Sequence, residues 1–226
     1  MLWRGILTLV FICICGACQQ SVKEIEEIPA FSIPKLSGIE IDGDSGDWQG
    51  RGFQIRTLYP IGKSSGRPES KKDFHSEVEV AWDDEGFLLF FKIADDIALE
   101  SPQRKPWNAD SIEVFVVSGV NLQERLQYIM TPGLDESSEG ANQPSVTVID
   151  KRVQAETSSD ILSQVKESSD GYHIEMKIPW SAFSMEAKIG DKLALDFFVN
   201  DRDQKEVDRV QVTWFTEGWP GAGTEF

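Results

Sequence analysis

An all-β fold, an antiparallel β-sandwich, is predicted by three features of this 226-residue chain. Apolar residues recur at every second position in short runs, turn-forming dipeptides separate those runs, and helical periodicity is scarce. Seven or more short strands joined by turns pack most simply as two facing antiparallel sheets, because each strand has one apolar face to bury.

In chain order, the first residues stand apart from that domain. Residues 1–4 make a short basic start, residues 6–15 an apolar run of signal-peptide length, and Gly16 and Ala17 are small residues ahead of Cys18. Gln19, Gln20, Lys23 and Glu24 end the run, short of the roughly 17–25 apolar residues a membrane span needs. Residues 1–17 are therefore expected to be an export signal. Residues 18–35 are polar and acidic and contain Pro29 and Pro34, as expected of a tether. The folded domain is expected over residues 36–226.

Within it, period-two alternation is clear at Val78, Val80 and Trp82, at Ile112, Val114 and Val116, and at Tyr172, Ile174, Met176 and Ile178. These predict half-buried strands. Residues 86–94 (GFLLFFKIA) and 193–199 (LALDFFV) are denser in apolar side chains, which predicts inner strands covered on both faces. Turns are expected at Asp83–Gly86, Pro132-Gly133, Asp170-Gly171 and Gly190-Asp191. Residues 56–73 and 135–144 read as polar loops, and residues 179–183 (PWSAF) as a single helical turn.

Composition excludes several functions. Acidic residues outnumber basic ones 38 to 22, a net charge of -16, so a phosphate-tracking surface for nucleic acid is excluded. The three cysteines, Cys13, Cys15 and Cys18, all precede the domain, which leaves it no thiol for a disulfide, metal cluster or nucleophile. His75 and His173 are the only imidazoles. Alternation places His173 on the face opposite Ile174, where a solvated ring is expected. Asp110 and Glu113 are three positions apart, hence on opposite faces of a strand and unsuited to act together as a glycosidase pair. No catalytic residue is expected.

Two resemblances add to this reading. Residues 15–18 (CGAC) resemble a bacterial lipoprotein box, which implies lipidation of Cys18, an exported protein anchored to the membrane, and the outer membrane in a Gram-negative cell, since Gln19 follows the cysteine. Next, residues 41–48 (IDGDSGDW), 80–83 (VAWD), 94–96 (ADD), 107–115 (WNADSIEVF), 172–180 (YHIEMKIPW) and 200–203 (NDRD) together resemble the family 9 carbohydrate-binding module, one of the DOMON-like β-sandwiches. That resemblance covers nearly the whole domain. It implies a sandwich that clamps a glycan between two tryptophans and often carries structural calcium.

By that resemblance Trp107 and Trp219 match the clamping pair, both on Pro- and Gly-containing loops, and Glu113 matches a hydrogen-bond acceptor for a sugar hydroxyl. Residues 126–130 (LQYIM) carry no basic residue where sugar-binding members have one. Of the other tryptophans, Trp82 and Trp214 are expected in the core, Trp48 and Trp180 at the ends of the sandwich. Carboxylates cluster at Asp42, Asp44 and Asp47, at Asp83, Asp84 and Glu85, at Asp95 and Asp96, and at Asp201 and Asp203. Calcium takes such ligands, but Phe53 stands where an EF-hand loop beginning at Asp42 would need its final Glu, and no ligand set follows from the sequence.

The expected function is non-catalytic binding of a polysaccharide or oligosaccharide, beside polysaccharide-degrading enzymes as possible partners. Two alternatives stay open. One is haem binding, for which Met130 and Met176 are the candidate ligands; the other is a structural role in an outer-membrane complex with no sugar ligand.

Overall fold

The computed structural model describes residues 30–60, 68–99, 106–118, 124–134, 145–150, 153–156, 160–183, 186–204 and 209–214. The chain divides into two compact units, Met1–Phe31 and Ser32–Phe226. Residues 1–29, with the expected signal and Cys18, and Trp219 lie outside the described residues. Among the described residues no helix is long and apolar enough to cross a membrane.

The second unit is all-β. Its strands are β1 (Phe53–Ile55), β2 (Tyr59–Pro60), β3 (Phe74–Trp82), β4 (Gly86–Asp95), β5 (Ser111–Ser118), β6 (Glu124–Thr131), β7 (Ser145–Asp150), β8 (Val153–Glu156), β9 (Leu162–Ser168), β10 (Gly171–Pro179), β11 (Ala194–Asp201) and β12 (Val210–Thr213). Two 3₁₀ turns, Pro106–Asn108 and Trp180–Phe183, accompany them. One sheet has five strands in the order β1-β3-β4-β10-β9, the other seven in the order β2-β12-β11-β5-β6-β7-β8. The strand pairs within both sheets are antiparallel.

The core follows from the alternation. Val78, Val80, Leu89, Phe91, Ile174 and Met176 of the five-stranded sheet share one buried cluster with Ile112, Val114, Tyr128, Met130, Phe197 and Val199 of the seven-stranded sheet. Each such side chain contributes about 1.5–3 kcal/mol when fully buried. Trp214 closes the cluster at one margin, stacked on Phe197 with ring centroids 5.7 Å apart and planes 7° apart. Trp82 packs against the same cluster.

β4 is covered on both faces, as its composition predicts, and the second cover is a separate small core. Leu88 and Phe90 of β4 join Ile39, Trp48 and Ala81 on the outer face of the five-stranded sheet. Trp48 is thus not at an end of the sandwich, where the sequence reading put it. It lies flat under the segment preceding β1 and is completely buried.

The anchor for that segment is Glu175. One carboxylate oxygen accepts a 2.7 Å hydrogen bond from Trp48 Nε1, and the other accepts from the backbone N–H groups of Asp42 and Gly43 at 2.9 Å each. Gly43 has φ of +78°, and a Cβ there would lie 3.0 Å from Lys166 Cβ, so glycine lets the loop approach β9 closely. His173 sits on the same face, half-buried, with its ring centroid 5.2 Å from Phe90. It is not the freely solvated histidine that strand alternation predicts; burial holds its pKa below the ordinary 6.5. Alternation reports which face a residue occupies and is silent on what else covers that face.

The expected tether also ends earlier than residue 35. Trp82 N–H donates to the Pro34 carbonyl, Leu36 N–H donates to the Trp82 carbonyl, and Trp82 Nε1 donates to Ile33 O. Ile33 to Leu36 therefore run beside the end of β3 as part of the compact unit. Of the expected polar loop at 56–73, Tyr59–Pro60 pairs with β12.

Candidate functional site

The outer face of the seven-stranded sheet carries the candidate site. On β5 the core takes Ile112 and Val114, so Glu113 must point outward. The same alternation turns Gln127 outward on β6, Phe198 and Asn200 on β11, and Gln211 on β12. Register brings them together: Glu113 stands opposite Ile129 on one side and Phe198 on the other, and Asn200 stands opposite Gln211.

Glu113 is the hub. Its Oε1 accepts hydrogen bonds from Asn200 Nδ2 at 2.9 Å and Gln211 Nε2 at 3.2 Å, and its Oε2 accepts from Gln127 Nε2 at 2.7 Å. Gln211 also donates to Asn200 Oδ1 at 2.7 Å, and Asn200 donates to Ser111 Oγ at 3.0 Å. Glu113 is 5% exposed and Asn200 fully buried, whereas Gln127 and Gln211 are partly open. Burial raises the Glu113 pKa above its usual 4.5, while Asn200, the nearby Arg209 charge and the two glutamines oppose that rise. A carboxylate offers about four lone-pair sites; three are filled by the network, which leaves one for a hydroxyl.

Trp107 borders this network. It sits half-buried on the 3₁₀ turn ahead of β5. Arg209 ties the turn to the hub: its guanidinium donates to the Trp107 carbonyl and to Asn108 Oδ1, and its charge acts on Glu113. The structure thus brings Trp107 and Glu113 into one neighbourhood. Glu113 is an internal acceptor holding the surrounding amides in place, more than the freely presented one the sequence reading expects.

Sequence reasoning missed Gln127, Gln211 and Arg209 as members. Each glutamine is a polar residue between apolar ones on a strand, which says that it faces outward and nothing about its neighbours. The basic residue missing from β6 has a counterpart in space: Arg209 reaches the same network from the start of β12. Met130 and Met176, the haem candidates, are buried in the core with 0% and 1% exposure, so neither is presented to a ligand. The largest surface depression, about 320 Å³, is elsewhere, beside Ile39, Leu162 and Lys177 on the five-stranded sheet, and lacks a comparable network.

A group of carboxylates lies at the end of the sheets next to the Trp107 turn. Asp95 ends β4, Asp201 ends β11 and Asp110 immediately precedes β5. One oxygen from each lies within 4.8 Å of the other two. Asp73, Asp96 and Asp203 make a second such group alongside, with Asp96 exposed. Asp110 is fully buried, accepting from Leu99 N–H at 2.5 Å and from Arg202 N–H at 2.9 Å. Asp201 is 2% exposed, and its Oδ1 has no hydrogen-bond partner. No described lysine or arginine forms an ion pair with any of the three. Desolvation and then mutual repulsion push Asp95 to about 7 and Asp201 to about 8, and Asp110 also rises, by desolvation first. Two unit charges 4.8 Å apart repel by about 3 kcal/mol at an effective dielectric near 20. Three hard oxygen donors and an orphaned buried oxygen fit a calcium ion.

Comparison with known proteins bears on this geometry. The family model described as "Carbohydrate family 9 binding domain-like" matches residues 54–219. Two solved structures share the fold, both of a family 9 carbohydrate-binding module from Caldicellulosiruptor kristjanssonii. The complex with cellotriose is 16% identical, covers 80% of this chain and 82% of its own, and has a TM-score of 0.55. The complex with glucose is 17% identical, covers 80% and 84%, and has a TM-score of 0.56. No curated protein matches the chain.

Proposed function

Because the chain belongs to the carbohydrate family 9 binding domain-like family, we propose that it binds an oligosaccharide or the end of a polysaccharide, without transforming it, on the outer face of the seven-stranded sheet. The observation that carries this reading is the Glu113 hub, which orients partly open amides of Gln127 and Gln211 beside the half-buried Trp107 ring. A pyranose presents hydroxyls at its edge and C–H groups on its faces, so it needs fixed polar groups and a flat aromatic surface together. The neighbours' complexes with cellotriose and glucose support the same ligand class. Trp219 is proposed as the second ring.

A binding role fits the carboxylates better than hydrolysis does. Both oxygens of Asp110 and both of Glu113 already accept hydrogen bonds within the fold, which leaves no free acid and base facing each other across a cleft.

Trp107→Ala tests the site. Cellotriose affinity measured by calorimetry is expected to fall by about 1–3 kcal/mol, roughly 5- to 150-fold, with the thermal midpoint nearly unchanged. Unaltered affinity in a folded variant would remove Trp107 from the site.

Cys18, the lipid-anchor candidate, makes the protein a membrane-tethered binder in this reading, with polysaccharide-degrading enzymes as neighbours. A single shallow site binds weakly, since the ligand loses its own freedom, and a tether raises local concentration. Cys18→Ser is expected to move the protein from the membrane to the soluble fraction of the cell envelope. Continued membrane association would rule out anchoring through Cys18.

A further inference from the structure

The buried carboxylates are not explained by saccharide binding. Three side chains from three segments far apart in sequence converge where nothing positive meets them, and evolution of a stable fold gives no reason to bury such a group empty. Burial of an unpaired carboxylate is strongly unfavourable, and Asp201 Oδ1 is both enclosed and unbonded.

We propose that Asp95, Asp110 and Asp201 hold a calcium ion that fixes the turn bearing Trp107, so that saccharide affinity depends on the ion; the second half rests on the saccharide reading above. The spacing suits calcium. Oxygens on opposite sides of an ion at about 2.4 Å would be about 4.8 Å apart, and the three oxygens lie within 4.8 Å of one another. All three ligands are carboxylates, the hard donors that calcium takes, with room for further oxygens in its coordination of about six to eight.

The route to Trp107 is short and contiguous. Asp110 Oδ1 accepts from Arg202 N–H, which fixes the backbone next to Asp201. The Arg202 guanidinium donates to the Asn108 carbonyl at 2.8 Å. Asn108 follows Trp107 in the same 3₁₀ turn, and Asp110 is two residues farther along. An ion drawing Asp201 and Asp110 together closes this loop of contacts. Without it, their repulsion pushes the end of β11 away from the start of β5, and the turn between them loses its fixed position. Asp110 and Asp201 are positioning residues for the sugar site in this scheme.

The test is made on the full chain with calcium chloride as the probe, before any sugar is added. Calorimetry on chelator-treated protein is expected to show calcium binding, and calcium at about 100 times its Kd is expected to raise the thermal midpoint by roughly 5–10 °C. Asp201→Asn is expected to abolish that rise while melting no lower than the calcium-free wild type, because it removes a repelling charge. A merely structural aspartate would instead melt lower with calcium and without. Absence of calcium binding by wild type, or an undiminished calcium shift in Asp201→Asn, overturns the ion site. Wild-type protein titrated with cellotriose is then expected to bind about tenfold more tightly with calcium than in chelator. Equal affinity in both overturns the coupling and leaves the ion site standing. No cellotriose binding under either condition overturns the coupling together with the saccharide reading, while the calcium titration still reports on the ion site.

Discussion

Glu113→Ala is expected to abolish measurable cellotriose binding, a loss of more than about 100-fold, or about 3 kcal/mol. The reason is that Glu113 does more than touch a ligand. Asn200, Gln211 and Gln127 all donate to it, and Arg209 supplies the nearby charge. Removing the carboxylate leaves three amide donors without their acceptor in a largely closed setting, at about 1–3 kcal/mol for each one that finds no substitute. The amides then rotate toward other partners and cease to present fixed groups. Arg209 loses its counter-charge, and with it the turn of Trp107 loosens. Calorimetric titration with cellotriose, with circular dichroism to establish that the sheets persist, checks the result. Wild-type affinity in the folded variant would show that the hub does not organise the site.

Trp48→Ala should produce the opposite pattern, a large loss of stability with little change in binding. The ring is fully enclosed between the loop before β1 and Phe90, and truncating such a side chain costs about 3–5 kcal/mol. The truncation also removes the donor to Glu175 Oε1. Burial already raises the Glu175 pKa above its usual 4.5, and loss of that hydrogen bond raises it further. A raised carboxyl pKa means that the folded state keeps a proton the unfolded chain has released. Its contribution to stability is therefore complete below the ordinary value and declines as pH rises through the raised one. The variant should extend this decline to higher pH. Urea unfolding across pH 4 to 8 measures both effects. Since Trp48 covers the five-stranded sheet and the Glu113 network lies on the seven-stranded one, cellotriose affinity should hold wherever the variant is folded. A stable Trp48→Ala protein would mean that the outer cluster is not a true second core.

How much of this is visible in the chain depends on the range of the interaction. Alternation at Val78 and Val80, at Ile112 and Val114, and at Ile174 and Met176 set the inward faces correctly, because side-chain direction on a strand has a local period of two. The density of residues 86–94 announced a strand with two covered faces, though it did not identify Trp48 as part of the cover. Short strands escaped notice: β1 and β2 have three and two residues, too few to display a period.

The candidate site divides in the same way. Trp107 stood out because a large aromatic residue in a turn after Lys105-Pro106 has few local reasons to be there, and Glu113 because a charged residue interrupts an apolar strand. Gln127, Gln211 and Arg209 gave no such signal. Their significance comes from lying across β5, β6, β11 and β12 at matching register, and register is a relation between segments up to 98 residues apart, as for Gln211 and Glu113. The acidic pairs at 95–96 and 201–203 looked like ordinary turn chemistry for the same reason. Each pair is unremarkable alone, and their repulsion exists only once β4 and β11 end side by side.

By itself, then, the sequence determined the all-β class, the strands that face the core, and the two local oddities, Trp107 and Glu113, because these follow from interactions within a few residues. Tertiary structure decided which polar groups surround Glu113, that Glu175 and Trp48 are enclosed, and that three aspartates converge. Those outcomes depend on strand order and on what covers each sheet, and both are set by the packing of distant segments against one another.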